Sequence, residues 1–378
     1  MPASYRPEID GLRAVAVLAV VMAHGGTGLL RGGFLGVDIF FVISGYVITA
    51  SILADVQAGR FGLGRFYLRR AWRILPALGL LLAVSVPILV LVYPPDLAGM
   101  NLRIALAAAL SVANLYLGLG PTPDLSAGAQ PLLHLWSLGV EEQFYLVFPV
   151  LLVWALGLGR AAAWRVVAVV ALLSFLWMIL SAAEPGRGHY YLPLQRFWEL
   201  LTGALVALRA DRPGPALVWR QVLAGCGLAL IGVSLVVFRS STMTVPGPAT
   251  VLPVLGTALV IACARSDTLV GRLLAWRPAV SVGLISYSLY LWHWMIFETY
   301  RQITGTPFNL GLQAAVGLSG MALLIAWASW RLVELPLRRP GQPALGARPG
   351  WPVTGHIAAL VTFLLAATLG LSTRSAAS

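Results

Sequence analysis

Apolar residues run through this chain in blocks about as long as a bilayer is thick, separated by short segments rich in arginine, glycine and proline. The blocks near Leu12–Gly28, Gly33–Ala54, Ile74–Val92, Trp136–Leu156, Val166–Ala182 and Val218–Phe238, with more beyond, each approach the roughly 20 residues that a helix needs to cross the hydrocarbon core. They predict an all-α fold, a polytopic membrane helical bundle of ten core transmembrane helices with an eleventh at Val353–Leu371. The bundle would occupy residues 1–340, followed by a Pro/Gly-rich cytoplasmic linker (341–352), the additional helix (353–371) and an extracytoplasmic tail (372–378). The first block follows Arg6 and Arg13 much as a signal peptide would. It lacks an evident small-residue cleavage site and the next block follows almost at once, so it reads as a retained span.

Composition agrees with the pattern. Of 378 residues 59% are hydrophobic and 11% charged, where a soluble domain carries about a quarter charged residues. The net charge of +12 comes entirely from arginines, with no lysine, and these cluster between apolar blocks. That is the signature of membrane topology rather than of nucleic-acid binding. The two cysteines, Cys226 and Cys263, lie inside apolar blocks and suggest packing, not a disulfide framework or a thiolate metal site.

The arginines also set the orientation. A cytoplasmic N-terminus puts the loop with Arg60, Arg65, Arg69, Arg70 and Arg73 inside, as the positive-inside rule asks. If every later block crossed once, including Leu102–Leu119, the loop with Arg160 and Arg165 and each arginine-rich loop after it would fall outside. If Pro94–Leu133 stays on the outer side, with Leu102–Leu119 re-entrant or lying against the bundle, those loops return to the cytoplasm. The eleventh helix would then deliver the C-terminus outside.

Ionisable side chains inside apolar helices are costly and therefore informative. Arg13 and His24 are eleven residues apart, three turns plus 20°, which puts both on one helix face about 16.5 Å apart. Taken alone, His24 could be a buried histidine bonded to a backbone carbonyl; Arg13 on the same face argues for function. Asp38 follows a glycine-rich turn, and His24 and Asp38 stand seven residues before and after Arg31. Antiparallel helices would bring them to similar depth, where the carboxylate could orient the imidazole or simply cap the second helix. The stretch His134-Leu-Trp-Ser137-Leu-Gly-Val-Glu141-Glu142-Gln143 places two carboxylates at the mouth of another apolar block. They either meet a polar substrate and its protons or complement the helix dipole in water.

Tyr287, Tyr290 and His293 share one later helix with flanking tryptophans, which also fits an interfacial aromatic belt. Glu334 stands three residues from Arg331, the spacing of an ordinary helical ion pair. Arg69, Arg70 and Arg73 satisfy topology and anionic lipid, and their guanidinium forks also suit phosphate oxygens. No metal-ligand spacing, phosphate-cradling glycine loop or nucleophile elbow is present.

These motifs, taken together, resemble the acyltransferase family 3 membrane proteins across nearly the whole chain. The likeness lies in Tyr5-Arg-Pro-Glu-Ile-Asp-Gly-Leu-Arg13, the arginine-to-histidine spacing ending at His24, Gly32-Gly-Phe-Leu-Gly-Val-Asp-Ile-Phe-Phe-Val-Ile-Ser-Gly-Tyr46, Arg70-x-x-Arg73, His134 through Tyr145, Ser286 through Trp294 and Val333-Glu-Leu-Pro336. The resemblance implies a ten-helix core in a bacterial inner membrane that takes an acyl group, usually acetyl, from cytoplasmic acyl-coenzyme A. The acceptor would be a hydroxyl of an extracytoplasmic glycan such as O-antigen, exopolysaccharide or peptidoglycan, free or lipid-linked. It associates Arg13, His24, Arg70, Arg73 and Glu334 with function.

Together with the reading of the residues above, which adds Asp38 and Glu141, the expected catalytic residues are His24, Asp38, Glu141 and Glu334. Arg13, Arg69, Arg70 and Arg73 would bind the donor, and His134, Ser137, Glu142, Tyr287 and His293 the acceptor. The donor is acyl-coenzyme A, no metal is called for, and the expected partners are donor, glycan and membrane lipid, with no nucleic acid. The subgroup most resembled continues after its eleventh helix into an extracytoplasmic SGNH hydrolase-like domain. The sequence stops at Ser378, and the expectation is a membrane part cut before that domain or a stand-alone form. A proton-coupled transporter or flippase of a polar or lipid-linked molecule would also place Asp, Glu and His inside a membrane. A structural membrane anchor is the third reading.

Overall fold

The computed structural model describes residues 5–120, 130–211, 214–306 and 308–337. The expected linker (341–352), eleventh helix (353–371) and tail (372–378) lie outside the described residues. Among those described every regular element is helical, as the apolar blocks predict. Six helical segments are long and apolar enough to cross a membrane: Gly33–Gln57, Leu63–Val92, Leu133–Gly157, Arg160–Ser181, Leu217–Val237 and Leu312–Leu337. The pair Arg277–Leu284 and Ser286–Thr304, bent by 67°, makes a seventh if it is one span. The chain is a multi-pass membrane protein.

The described residues form two compact units that interleave in sequence, one made of 5–63 with those described from 140 to 286, the other of those described from 64 to 139 with those from 287 to 337. The first unit holds α1 (Pro7–His24), α2 (Gly36–Gln57), most of the helix Trp136–Gly157, and the helices Arg160–Ser181, Arg187–Tyr191, Phe197–Leu208, Leu217–Val237, Val251–Cys263, Leu269–Leu274 and Arg277–Leu284. Numbering the second unit's helices in chain order, Leu63–Val92 is α3, Pro95–Ala109 is α4 and Ala113–Leu119 is α5. The helices from Trp136 to Leu284 named above are accordingly α6 to α13, Ser286–Thr304 is α14 and Leu312–Ser329 is α15. The last continues into a π turn, Trp330–Glu334.

Residues 102–119, which the arginine pattern asks not to cross, are divided between α4 and α5, with Ser111 at φ 60° between them. Neither helix, at 15 and 7 residues, reaches across the apolar core. Of the remaining apolar helices, α9 and α11 are short, and α1 carries Glu8, Asp10 and Arg13 within its first two turns.

In the first unit α2 packs along α9, α10 along α11, α1 along α13 and α7 along α9. Hydrophobic burial drives little association where the surrounding lipid is equally apolar, so small residues that let backbones approach carry the packing. At the α2–α9 crossing a Cβ on Gly45 would lie 1.7 Å from the Leu200 carbonyl oxygen, and one on Gly203 would lie 1.9 Å from that of Val42. Gly45 belongs to one of the motifs that carry the family resemblance, and close helix approach accounts for it. Arg6, from another, ties α1 to the end of α11: its Nη2 donates to the carbonyls of Ile261 (2.9 Å) and Ala264 (3.0 Å), its Nη1 to the Tyr46 hydroxyl (2.8 Å), and its Nε pairs with Glu8 (2.8 Å). An arginine on the last carbonyls of a helix satisfies groups that have no partner within it.

Candidate active site

In the first unit α1 carries both Arg13 and His24, each half-buried, and His24 is its last residue. Arg13 is held by Asp10 one turn earlier, with Nη1 3.4 Å from Asp10 Oδ1, while the Tyr5 hydroxyl donates to the other carboxylate oxygen at 2.8 Å. The guanidinium is therefore positioned before any ligand arrives.

Asp38, expected to orient His24, is engaged elsewhere. Its Oδ1 accepts from Arg196 Nη1 at 3.1 Å, and the same nitrogen is 3.3 Å from Glu199 Oε1. Asp38 and Arg196 are 1% exposed and Glu199 is 0%. The guanidinium also lies over the Tyr190 ring, 5.1 Å from its centroid, and its Nε donates to the Tyr190 carbonyl. The expected imidazole partner of Asp38 is replaced by a guanidinium brought in at the foot of α9.

Glu141 and Glu142 lie half-buried on α6. Glu141 Oε1 accepts from the Ser44 hydroxyl of α2 and from the Tyr145 hydroxyl one turn further along its own helix. Two hydroxyl donors suit a carboxylate that has left bulk water.

In the second unit His134, Ser137 and His293, three of the side chains assigned to the acceptor, come together around Tyr290, while Tyr287 lies apart from them. The Tyr290 hydroxyl donates to the His134 carbonyl (2.9 Å) and lies 2.7 Å from Ser137 Oγ. His134 Nε2 donates to the Leu291 carbonyl at 3.0 Å, and His293 Nδ1 to that of Tyr290 at 2.7 Å. The two imidazoles meet edge to face with centroids 5.8 Å apart, and His134 Nδ1, buried, has no partner among the described residues. Tyr287 instead donates its hydroxyl to the Ile74 carbonyl of α3 at 3.0 Å.

Glu334 does not form the helical pair that its spacing from Arg331 suggests. Arg331 is exposed, whereas Glu334 is 1% exposed and accepts from the Ser288 hydroxyl, which also reaches Ser329 Oγ at 3.2 Å. A π turn carries an extra residue, so positions three apart separate around the axis, and such turns recur at functional sites. Along α3, Arg69 is exposed while Arg70 and Arg73 are half-buried, with the Arg70 guanidinium 5.7 Å from the Phe66 ring centroid.

Sequence reasoning missed Arg196, Glu199, Ser44, Ser288 and Asp10. Arg196 and Glu199 left a usable signal, two opposite charges three residues apart at the mouth of an apolar block. The serines left none, because a hydroxyl in an apolar helix is unremarkable until its partner is known.

A family model described as an acyltransferase domain matches residues 6–331. The O-acetyltransferase OatA of Staphylococcus aureus strain NCTC 8325 is 30% identical over 360 residues, covering 91% of this chain and 59% of its own length. The protein of the same name in strain COL gives the same values. The chain thus spans less than two thirds of these relatives. No solved structure matches it. With a match running from Arg6 at the foot of α1 to Arg331 in the π turn, the chain belongs to this acyltransferase family.

Proposed function

We propose that the chain is a membrane O-acyltransferase that takes an acyl group, acetyl in the simplest case, from acyl-coenzyme A on the cytoplasmic side of a bacterial inner membrane. It passes the group to a hydroxyl of an extracytoplasmic glycan, free or lipid-linked. The observation that carries this reading is α1 itself, with a pre-positioned arginine near its start and a histidine as its last residue. The eleven-residue rise of about 16.5 Å suits a donor whose charged end and reacting thioester are well separated.

In this reading Arg13, Arg69, Arg70 and Arg73 are donor-binding side chains. His24 is the general base for the acceptor hydroxyl or the nucleophile that carries the acyl group as an acyl-imidazole. Glu141 and Glu334 are the further catalytic carboxyls, each buried or half-buried on hydroxyl donors. His134, Ser137, Glu142, Tyr287 and His293 serve the acceptor. Asp38 acts through Arg196 and Glu199 rather than directly on His24. The proposal includes ten core spans, an eleventh at 353–371, and a cytoplasmic N-terminus.

Membranes holding the wild type or His24→Ala, given labelled acetyl-coenzyme A and a bacterial glycan, test the assignment. Transfer by the wild type and its loss in the variant are expected; retained transfer would sink the role of His24. The buried charges around Arg196 favour one competitor, a proton-coupled transporter. Solute uptake by a wild type that transfers no label would select it. A cysteine placed in the Arg160–Arg165 loop should resist an impermeant thiol reagent added outside, and labelling there would overturn the topology.

A further inference from the structure

Three charged side chains of the described residues meet where α2 and α9 begin, and their charges do not cancel. Arg196 brings one positive charge, while Asp38 and Glu199, both ionised, would bring two negative ones, and all three side chains are at most 2% exposed. The other titratable groups around them are Tyr190, stacked on the guanidinium, and His189, whose Nδ1 faces Ser181 Oγ (3.0 Å) and whose Nε2 faces the Pro246 carbonyl (2.6 Å). A surplus negative charge in such a place is costly.

The geometry offers a remedy. Asp38 and Glu199 meet the same guanidinium nitrogen, at 3.1 and 3.3 Å, so one buried donor atom holds the two carboxyl groups together. Glu199 Oε2 is nevertheless buried with no donor among the described residues. Two ionised carboxylates cannot hydrogen-bond to one another. A single proton between them cancels the surplus charge and turns the orphaned oxygen into a donor, as in other carboxyl pairs forced together.

We infer that Asp38 and Glu199 share one proton over Arg196 and that this pair is the proton store of the acyl transfer. The second half rests on the function proposed above. Forming the ester bond takes one proton from the acceptor hydroxyl, and breaking the carbon–sulfur bond leaves a thiolate that takes one up. The proton given up by the hydroxyl and the one taken up by the thiolate balance over the whole reaction, but the two events need not coincide. A pair holding one proton can hand it on and be refilled, and Arg196 is the fixed counter-charge that keeps the other carboxyl ionised.

Infrared difference spectroscopy of the full chain in lipid tests the first half. A protonated-carboxyl C=O band is expected in the wild type and should vanish in both Glu199→Gln and Asp38→Asn, each of which keeps side-chain volume and leaves Arg196 one carboxylate. No such band in the wild type, or its survival in both variants, overturns the shared proton. For the second half, Glu199→Gln should lower kcat with labelled acetyl-coenzyme A on the order of 10²-fold, remove one limb of the pH–rate profile and leave KM unchanged. Loss of the band with kcat and pH profile intact overturns the store. A wild type that shows the band but transfers no acyl group overturns the proposed function and the store with it, while the shared proton stands.

Discussion

Asp38 and Glu334 are buried to the same degree, 1% exposed each, and are satisfied in opposite ways. Asp38 meets a guanidinium that also holds a second carboxyl, Glu199; Glu334 meets the Ser288 hydroxyl, backed by Ser329. A guanidinium held by two carboxyls is a clamp, because its removal leaves a buried carboxylate charge without its counter-ion. A hydroxyl donor solvates a carboxyl without cancelling its charge, so the Ser288 contact by itself supplies no counter-ion. The difference separates a charged group that the fold depends on from one that the fold merely shelters.

The largest effect should come from breaking the clamp. Arg196→Met is expected to lower stability by about 3–5 kcal/mol, read as thermal unfolding in detergent, with much of the loss recovered when Asp38→Asn and Glu199→Gln are added. An unchanged transition would remove the distinction drawn above. Glu334→Gln should do the reverse, keeping stability within about 1 kcal/mol while acyl transfer falls on the order of 10²-fold. A matching loss of stability would make Glu334 another structural group. Ser288→Ala, which takes one donor from Glu334, should cost about 0.5–1.5 kcal/mol and lower transfer less than Glu334→Gln does.

Exposed pairs should matter least. Arg160 meets Asp211 with side chains 34% and 64% exposed, and Arg160→Ala should cost roughly 0–1 kcal/mol, falling further in salt. A loss as large as that of Arg196→Met would show that burial is not what makes the clamp. His189 adds a pH test on the loop side of the clamp. Burial pushes its imidazole below the ordinary histidine value, the bond to the Pro246 carbonyl opposes this, and the nearby Arg196 charge pushes it further down. A depressed folded-state value means that the stability it contributes is complete above the unfolded value of about 6.5 and is lost as pH falls through the folded one. Unfolding temperatures should therefore decline on acidification below that point, and His189→Gln should flatten the decline.

Much of the architecture was legible in order of residues alone. Blocks of apolar residues and the absence of lysine identify a multi-pass membrane protein, since only helices satisfy their own backbone in lipid. Placing Arg13 and His24 on one helix needed nothing beyond the helical period, because α1 is continuous from Pro7 to His24. The motifs singled out His134, Ser137 and His293, but that they meet, and do so around Tyr290, only the fold shows.

Tertiary structure decided the partners. Asp38 and Arg196 are 158 positions apart, and equal depth on neighbouring helices made His24 as reasonable a partner as any until the α2–α9 crossing was known. Glu334 turned away from Arg331 because one π turn changes which side of a helix a residue faces. Helical periodicity is a local property and can be read along the chain. The pairing of buried charges depends on which helices approach closely enough to exclude water and lipid, and that is fixed by contacts, such as those at Gly45 and Gly203, between residues far apart in sequence.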